Sequence, residues 1–372
     1  MIDFKIMKKL NLIVLLLLTL TFSSCKLGRY IVYNFADIND HKKFPARTIT
    51  HGDTSFHFAV AAEGHYPKKI EYKAQSHDLD TFLADHESVA FMIIHNDSIK
   101  YENYFRGYDQ SSVVPSFSMA KSVTSILIGC ALEDGLIGSV DEPITKYIPE
   151  LSKNGFDKVS IEHLLQMTSG LDFNEGYYNP FGEVATFYYG INLRKAIKKL
   201  KLKDTPGNKF EYVSGNSQLL GLVLERALAN KTISQYLEEK IWRPLGMEYD
   251  TSWSLDRKKN GLEKTFCCIN AVARDYAKIG RLYLHEGNWN GKQLVPADWV
   301  KTSTKIDTVA GSASYYQYQW WLPSKGGDFM AQGILGQYIY VNPDKNLVIV
   351  RLGRKVGDVN WAKVFTTIAE SY

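Results

Sequence analysis

Two short runs of apolar and aromatic residues, Val89 to His95 and Ile99 to Phe105, flank Asn96-Asp97-Ser98. Turn-forming residues between two such runs predict a β-hairpin, so a sheet starts here. A different pattern follows. Pro115 and Ser116 precede a stretch from Phe117 to Leu132 that stays apolar over about four turns and stops at Asp134-Gly135. Ser116 as a candidate N-cap and a glycine past the end predict a helix, and its apolar residues fall nearly all round the axis. Such a helix belongs in the interior. Residues 145–265 carry helix signals at Ile161 to Met167, Leu193 to Leu202, Ser217 to Ala229 and Ile233 to Ile241, separated by Pro, Gly and Asn. Strand signals return only near the C-terminus, where Gln337 to Val341 and Leu347 to Leu352 flank Asn342-Pro343-Asp344-Lys345-Asn346. A last helix is expected from about Trp361 to Ser371. Strands at both ends with helices between them imply an α/β domain formed by residues 46–144 and 266–372, which holds an all-α domain, 145–265, between its halves.

Composition agrees with a folded body. The 372 residues are enough for two domains or one large one, and 45% apolar with 23% charged residues describes a core-forming globular protein. The net charge of +4 includes Lys5, Lys8 and Lys9 against Asp3, which leaves about +2 for the remainder. No basic stripe suited to nucleic acid is present.

The N-terminus reads as an address. Lys5, Lys8 and Lys9 precede the apolar run Leu12 to Phe22, and Ser23-Ser24-Cys25 follows. A basic start, an apolar run too short to span a bilayer and small residues before a cut fit a secretory signal, residues 1–24. Small residues directly before a cysteine resemble a bacterial lipoprotein signal, which implies cleavage before Cys25 and a lipid on that residue. The expectation is a protein anchored to a membrane of the bacterial cell envelope, with residues 25–45 as a tether. The other cysteines, Cys130, Cys267 and Cys268, are expected to be buried thiols, because neighbouring residues do not easily meet disulfide geometry. No His-x-x-x-His or Cys-x-x-Cys occurs, so no metal is expected; phosphate-loop and dinucleotide motifs are absent too, and no cofactor is implied.

Ser118 and Lys121 stand three residues apart at the start of the buried helix, on one face of it. The spacing alone says little, since Ser23 and Lys26 share it. Context says more: a lysine among Met119, Ala120, Val123, Ile126 and Leu127 is placed where an unpaired ammonium would be costly. No Gly-x-Ser-x-Gly elbow supports an α/β-hydrolase.

With Ser118 and Lys121 come Phe117-Ser118-Met119-Ala120-Lys121-Ser122, His163-Leu164-Leu165-Gln166-Met167-Thr168-Ser169-Gly170-Leu171, Pro206-Gly207, Phe210-Glu211-Tyr212-Val213-Ser214-Gly215-Asn216, Pro244-Leu245-Gly246 and Gly280-Arg281-Leu282-Tyr283. In this order the chain, from about Ser88 to Gly353, resembles the serine hydrolases related to class C β-lactamases, DD-peptidases, and the esterases and 6-aminohexanoate-dimer hydrolases of the same fold. The resemblance implies a β-lactamase/DD-peptidase-like α/β (α+β) fold, an antiparallel sheet flanked by helices with an inserted all-α domain. It implies Ser118 as the acylated nucleophile, Lys121 as its activating partner and Tyr212 as the tyrosine of the second motif. Where the family carries asparagine two positions later, this chain has Ser214, with Asn216 beyond it, so the third polar group of that motif is one of these two. An ordinary lysine is neutral only about 0.04% of the time at pH 7, so burial must tune Lys121, and a charged lysine would in turn pull the phenol of Tyr212 down. Either group is a candidate first proton acceptor.

The resemblance also places the oxyanion donors at the Ser118 N–H and at a strand whose third motif matches Ala331-Gln332-Gly333-Ile334, with Ile334 N–H as the second donor. Ala331 stands where penicillin-recognising members have a lysine for the substrate carboxylate. The expected activity is therefore ester or amide hydrolysis on a small molecule, with β-lactamase or DD-peptidase action as the alternative and a non-catalytic binding protein of this fold as the second. Tyr177-Tyr178, Phe187-Tyr188-Tyr189 and Trp320-Trp321 are candidates to line an apolar pocket or to pack the core.

Overall fold

The computed structural model describes residues 26–33, 35–62 and 65–372. Cys25 and the signal segment lie outside them. In chain order the strands that matter for the site are β1 (Ala46–Ile49), β2 (Ala59–Val60), β3 (Ser88–His95), β4 (Ser98–Tyr104), β5 (Val114–Pro115), β6 (Thr251–Ser254), β7 (Ile269–Ala271), β8 (Tyr316–Gln317), β9 (Trp320–Trp321), β10 (Phe329–Gly333), β11 (Gln337–Asn342) and β12 (Leu347–Gly353). The principal helices are α1 (Lys26–Tyr33), α2 (Met119–Glu133), α3 (Glu183–Tyr189), α4 (Ser214–Leu228), α5 (Ala273–Leu284) and α6 (Trp361–Ala369).

An eight-stranded sheet runs in the order β8-β9-β10-β11-β12-β3-β4-β2. It is antiparallel except at its last edge, where β2 pairs with β4 in parallel. The sheet is thus closed in the middle by two strands from opposite ends of the chain, with Val348 opposite Ile94 and Val350 opposite Met92. Both strands are almost wholly buried and mostly apolar, Arg351 excepted, because both faces of the sheet are covered. Alternate side chains divide between the covers. Ile339, Val341, Val348 and Val350 join the core beneath α2 and α5, whereas Tyr338, Tyr340, Leu347 and Ile349 pack under α6. Gly280 of α5 permits the close approach: a Cβ there would lie 2.7 Å from Val348 Cγ1 and 2.8 Å from Ile339 Cγ2.

Several expected elements are shorter than their patterns. The stretch Leu193 to Leu202 splits into a helix, Leu193–Ile197, and a strand, Lys201–Leu202, because the latter pairs with Leu171–Asp172. The helix from Ile233 ends at Leu237 and continues as one π-turn through Trp242. Strands also occur where only helices were expected: β6 pairs with β1 and β7 in a separate four-stranded sheet that ends on β5.

The segment expected as a tether is built into the body over its described part. α1 lies on α3, with the Tyr30 and Tyr189 rings 5.1 Å apart, and Ile38 and Phe44 are buried. Tyr188 donates from its hydroxyl to Asp40 Oδ2 at 2.6 Å, and the fully buried Lys264 Nζ sits 3.3 Å above the Phe44 ring and donates to Tyr188 O at 2.6 Å. The cysteines need a further correction. Cys130 is a buried thiol, but Cys267 and Cys268 are joined by a disulfide. Cys268 takes φ +75°, a bend that brings adjacent sulfurs together where an ordinary extended pair would hold them apart.

Candidate active site

Ser118 lies on the short link between β5 and α2. Ser116 does not cap the helix as its position suggested; its hydroxyl accepts from Ile269 N at 3.0 Å and so ties the link to β7. Phe117 adopts φ +44°, a left-handed conformation that costs an aromatic residue of order 1–3 kcal/mol and is found chiefly at functional sites. The bend brings Ser118 to the N-cap position, where its hydroxyl makes no capping bond. That hydroxyl is used by Lys121 instead.

Lys121 is 1% exposed, and its Nζ lies 2.9 Å from Ser118 Oγ, 3.1 Å from Ser214 Oγ and 2.9 Å from the Phe266 carbonyl oxygen. All three partners are neutral. Burial therefore lowers the amine to about 8, and the carboxylate of Glu175 holds it from falling further. At pH 7 such a group is neutral about a tenth of the time, some two hundred times more often than a free lysine. In the neutral form two N–H groups serve Ser214 and Phe266, leaving a lone pair to accept the Ser118 O–H.

Tyr212 faces this amine, its ring centroid 5.1 Å from Nζ, and is clamped by the Trp321 ring at 5.3 Å and the Tyr316 ring at 5.9 Å. Its phenol moves in the direction opposite to the one expected. Burial pushes it well above the usual range, and a hydrogen bond with Ser118 only partly offsets this. Tyr212 is accordingly protonated at neutral pH, and of the two groups Lys121 is the one that burial moves toward its neutral form.

The ambiguity in the second motif is resolved by position. Ser214 bonds Lys121, donates from its hydroxyl to Glu175 Oε1 at 2.6 Å and from its backbone N–H to Glu175 Oε2 at 2.7 Å. Asn216, two residues further along α4, is fully buried on another side of the helix, accepting from Ser169 Oγ at 2.5 Å and donating to Met167 Sδ. Glu175 is the residue that the sequence did not suggest. It sits on a loop 39 positions before Ser214 with no motif around it, and only the fold shows that it completes a line from Lys121 through Ser214 to a carboxylate.

The opposite wall is β10. Gly333 passes so close to the Ser118 link that a Cβ would lie 2.4 Å from Ser116 O and 3.1 Å from Ser118 N. No backbone acceptor pairs with the Ser118 N–H among the described residues. Gln332 and Ile334 flank Gly333, and both line a recess of about 220 Å³ with Ser118, Tyr212 and Trp321. The turn after Ile334 is held by Arg351, a buried guanidinium that donates to Gly336 O at 2.7 Å, His86 O at 2.6 Å and Ser88 Oγ at 3.0 Å while stacked 3.7 Å over Trp361.

On the other side of Ser118 opens an apolar cavity of about 310 Å³, walled by Tyr177, Tyr178, Tyr188, Tyr189, Phe266 and Leu335 among others. The aromatic pairs thus divide. The four tyrosines line the cavity and Trp321 the recess, whereas Phe187 packs on Phe173 and Trp320 stacks on Tyr283 in the core.

A two-sided cleft over a serine, a buried lysine and a tyrosine, set between a mixed sheet and a helical layer, defines a hydrolase of the β-lactamase type. The chain belongs to the Beta-lactamase family, whose profile matches residues 78–371. It is 26% identical to the 6-aminohexanoate-dimer hydrolase of Paenarthrobacter ureafaciens over 297 residues, which cover 74% of each chain. Among solved structures it resembles a Bacillus anthracis protein described as "Putative 6-aminohexanoate-dimer hydrolase", with TM-score 0.80, 24% identity, and 92% of this chain and 94% of that one covered. It also resembles a family VIII carboxylesterase, with TM-score 0.60, 16% identity, and 76% and 92% covered.

Proposed function

We propose that this protein is a serine hydrolase that cleaves an ester or amide bond through an acyl-enzyme on Ser118, held at the bacterial cell envelope by lipid on Cys25. The observation that carries this reading is the set of three neutral contacts that leave Lys121 Nζ beside Ser118 Oγ. Neutral Lys121 takes the hydroxyl proton as Ser118 Oγ bonds the substrate carbonyl carbon. The resulting oxyanion lies between the N–H groups of Ser118 and Ile334, at a helix start whose dipole favours negative charge. The proton then passes to the departing alcohol or amine, with the protonated Tyr212 bridging the two positions, and the acyl group stays on Ser118. Water attacks the acyl-enzyme in a second cycle of the same transfers and regenerates the serine.

Ester or amide hydrolysis is preferred to attack on a β-lactam because Ala331, buried in β10, offers no cation for the substrate carboxylate, and because the larger cavity beside Ser118 is apolar. The relative that hydrolyses a 6-aminohexanoate dimer supports a linear amide as one member of the substrate class. The test is intact-protein mass spectrometry after a fluorophosphonate and, separately, a penicillin, with Ser118→Ala as control. Labelling of Ser118 by the fluorophosphonate alone is the expected result. Labelling by both would favour a β-lactamase or DD-peptidase, and labelling by neither a non-catalytic binding protein.

A further inference from the structure

Large apolar side chains gather on two neighbouring segments of the surface. Ile31 and Val32 on α1 are each 64% exposed, Phe35 just beyond it 49%, and Tyr178 and Phe181 on the loop before α3 79% and 75%. The two segments meet: the Phe35 and Tyr178 rings are 5.2 Å apart, and Tyr30 donates from its hydroxyl to Tyr178 O at 3.2 Å, with Ile31, Val32 and Phe181 within four residues of these contacts along the chain. Scattered single apolar residues on a surface are ordinary, but five large ones on two segments that touch mark a contact site. Phe35 and Tyr178 also line the apolar cavity beside Ser118, so the patch is the outer lip of that cavity.

We propose that this lip is a membrane-docking face, seated in the outer layer of a lipid bilayer so that a long acyl chain passes from lipid directly into the cavity. The proposal rests on the hydrolase and anchoring readings above. A lipid surface is the occupant that the chain itself indicates. Residues 1–25 hold the apolar run Leu12 to Phe22 and Cys25, and α1 begins at the next residue. At 1.5 Å per residue along a helix, Ile31 is only about 8 Å from Lys26, the residue that follows Cys25. Mixed Tyr and Phe side chains are those that settle at the boundary of headgroup and hydrocarbon. Lys355, exposed and also lining the cavity, suits an anionic headgroup. The substrate class that follows is an ester or amide of a long apolar acid, presented by a membrane rather than dissolved in water.

The full chain reconstituted in vesicles of phosphatidylethanolamine and phosphatidylglycerol, doped with a phospholipid bearing a diazirine on its acyl chain, provides the test. Photolysis and peptide mapping should find label in residues 30–35 and 177–182. Label confined to residues 1–26 would overturn the proposal, as would a detergent-purified dimer that Val32→Asp converts to monomer, since the face would then serve a second copy. Val32→Asp with Phe181→Asp should cut labelling of both segments at least fivefold and slow hydrolysis of a vesicle-borne p-nitrophenyl palmitate about tenfold, leaving soluble p-nitrophenyl acetate unchanged. An equal loss on both esters would also overturn it. Wild-type protein inert to either ester would sink the hydrolase reading instead, and the labelling pattern would still decide the docking.

Discussion

Lys121 owes its lowered pKa to what is missing around it. It touches two hydroxyls and a carbonyl, and the Glu175 carboxylate is linked to it through Ser214 and favours its charged form. Because the base must be neutral and its pKa lies near 8, the rate of acylation should rise with pH through that value and level off above it. Glu175→Gln removes a negative charge that favours the ammonium, so this limb of the profile should move to lower pH; stopped-flow acylation between pH 5 and 10 would read the shift, and an unmoved limb would deny Glu175 an electrostatic part. Lys121→Ala should slow turnover of a p-nitrophenyl ester at least a hundredfold, about 3 kcal/mol of barrier, and a rate within a fewfold of wild type would take the amine out of the mechanism. Ser118, Lys121 and Tyr212 were legible in the sequence because each sits in a motif with fixed spacing. The direction of the Tyr212 shift was not, because it depends on Trp321 and Tyr316 closing over the ring from a distant strand pair.

Among the elements, β10 is the one with least freedom. Even a methyl group at Gly333 would meet backbone atoms of the Ser116–Ser118 link, which cannot move without displacing Ser118. Gly333→Ala should therefore reduce kcat by at least a hundredfold while leaving far-ultraviolet circular dichroism unchanged; full activity would mean that the strand and the link are looser than they stand here. Gly280→Leu acts on stability instead, wedging α5 from β11 and β12, and should lower the urea midpoint by the equivalent of about 1–3 kcal/mol. Long elements were readable: β3, β4, α2, β11, β12 and α6 follow apolar runs of adequate length. Two-residue strands such as β5, β8 and β9 were not, since their pairing is decided by partners far along the chain rather than by local alternation. The same holds for Lys201–Leu202, where a helical pattern yields to a strand partner.

At the scale of the molecule, the N-terminal segment is structural. Removing residues 1–45 strips Ile38, Phe44 and the Asp40 contact from beneath α3, whereas removing residues 1–25 leaves them in place. Burial of one large apolar side chain is worth roughly 1.5–3 kcal/mol, so the longer deletion should melt at least about 5 °C below the shorter one by differential scanning fluorimetry. Equal melting points would restore the tether. The expectation of a free linker failed because the stretch is too short to show a period, and its burial comes from Tyr188 and Lys264, which the sequence places far away.

The pairing of β3 with β12 has a temporal side. Every residue of β12 finds its neighbour in a strand synthesised some 250 positions earlier, and contacts of such separation form late and slowly. While the last hairpin is still on the ribosome, β10 lacks its inner neighbour and the wall beside Ser118 cannot stand. The order of translation itself thus withholds the assembled cleft until the last strands have been made.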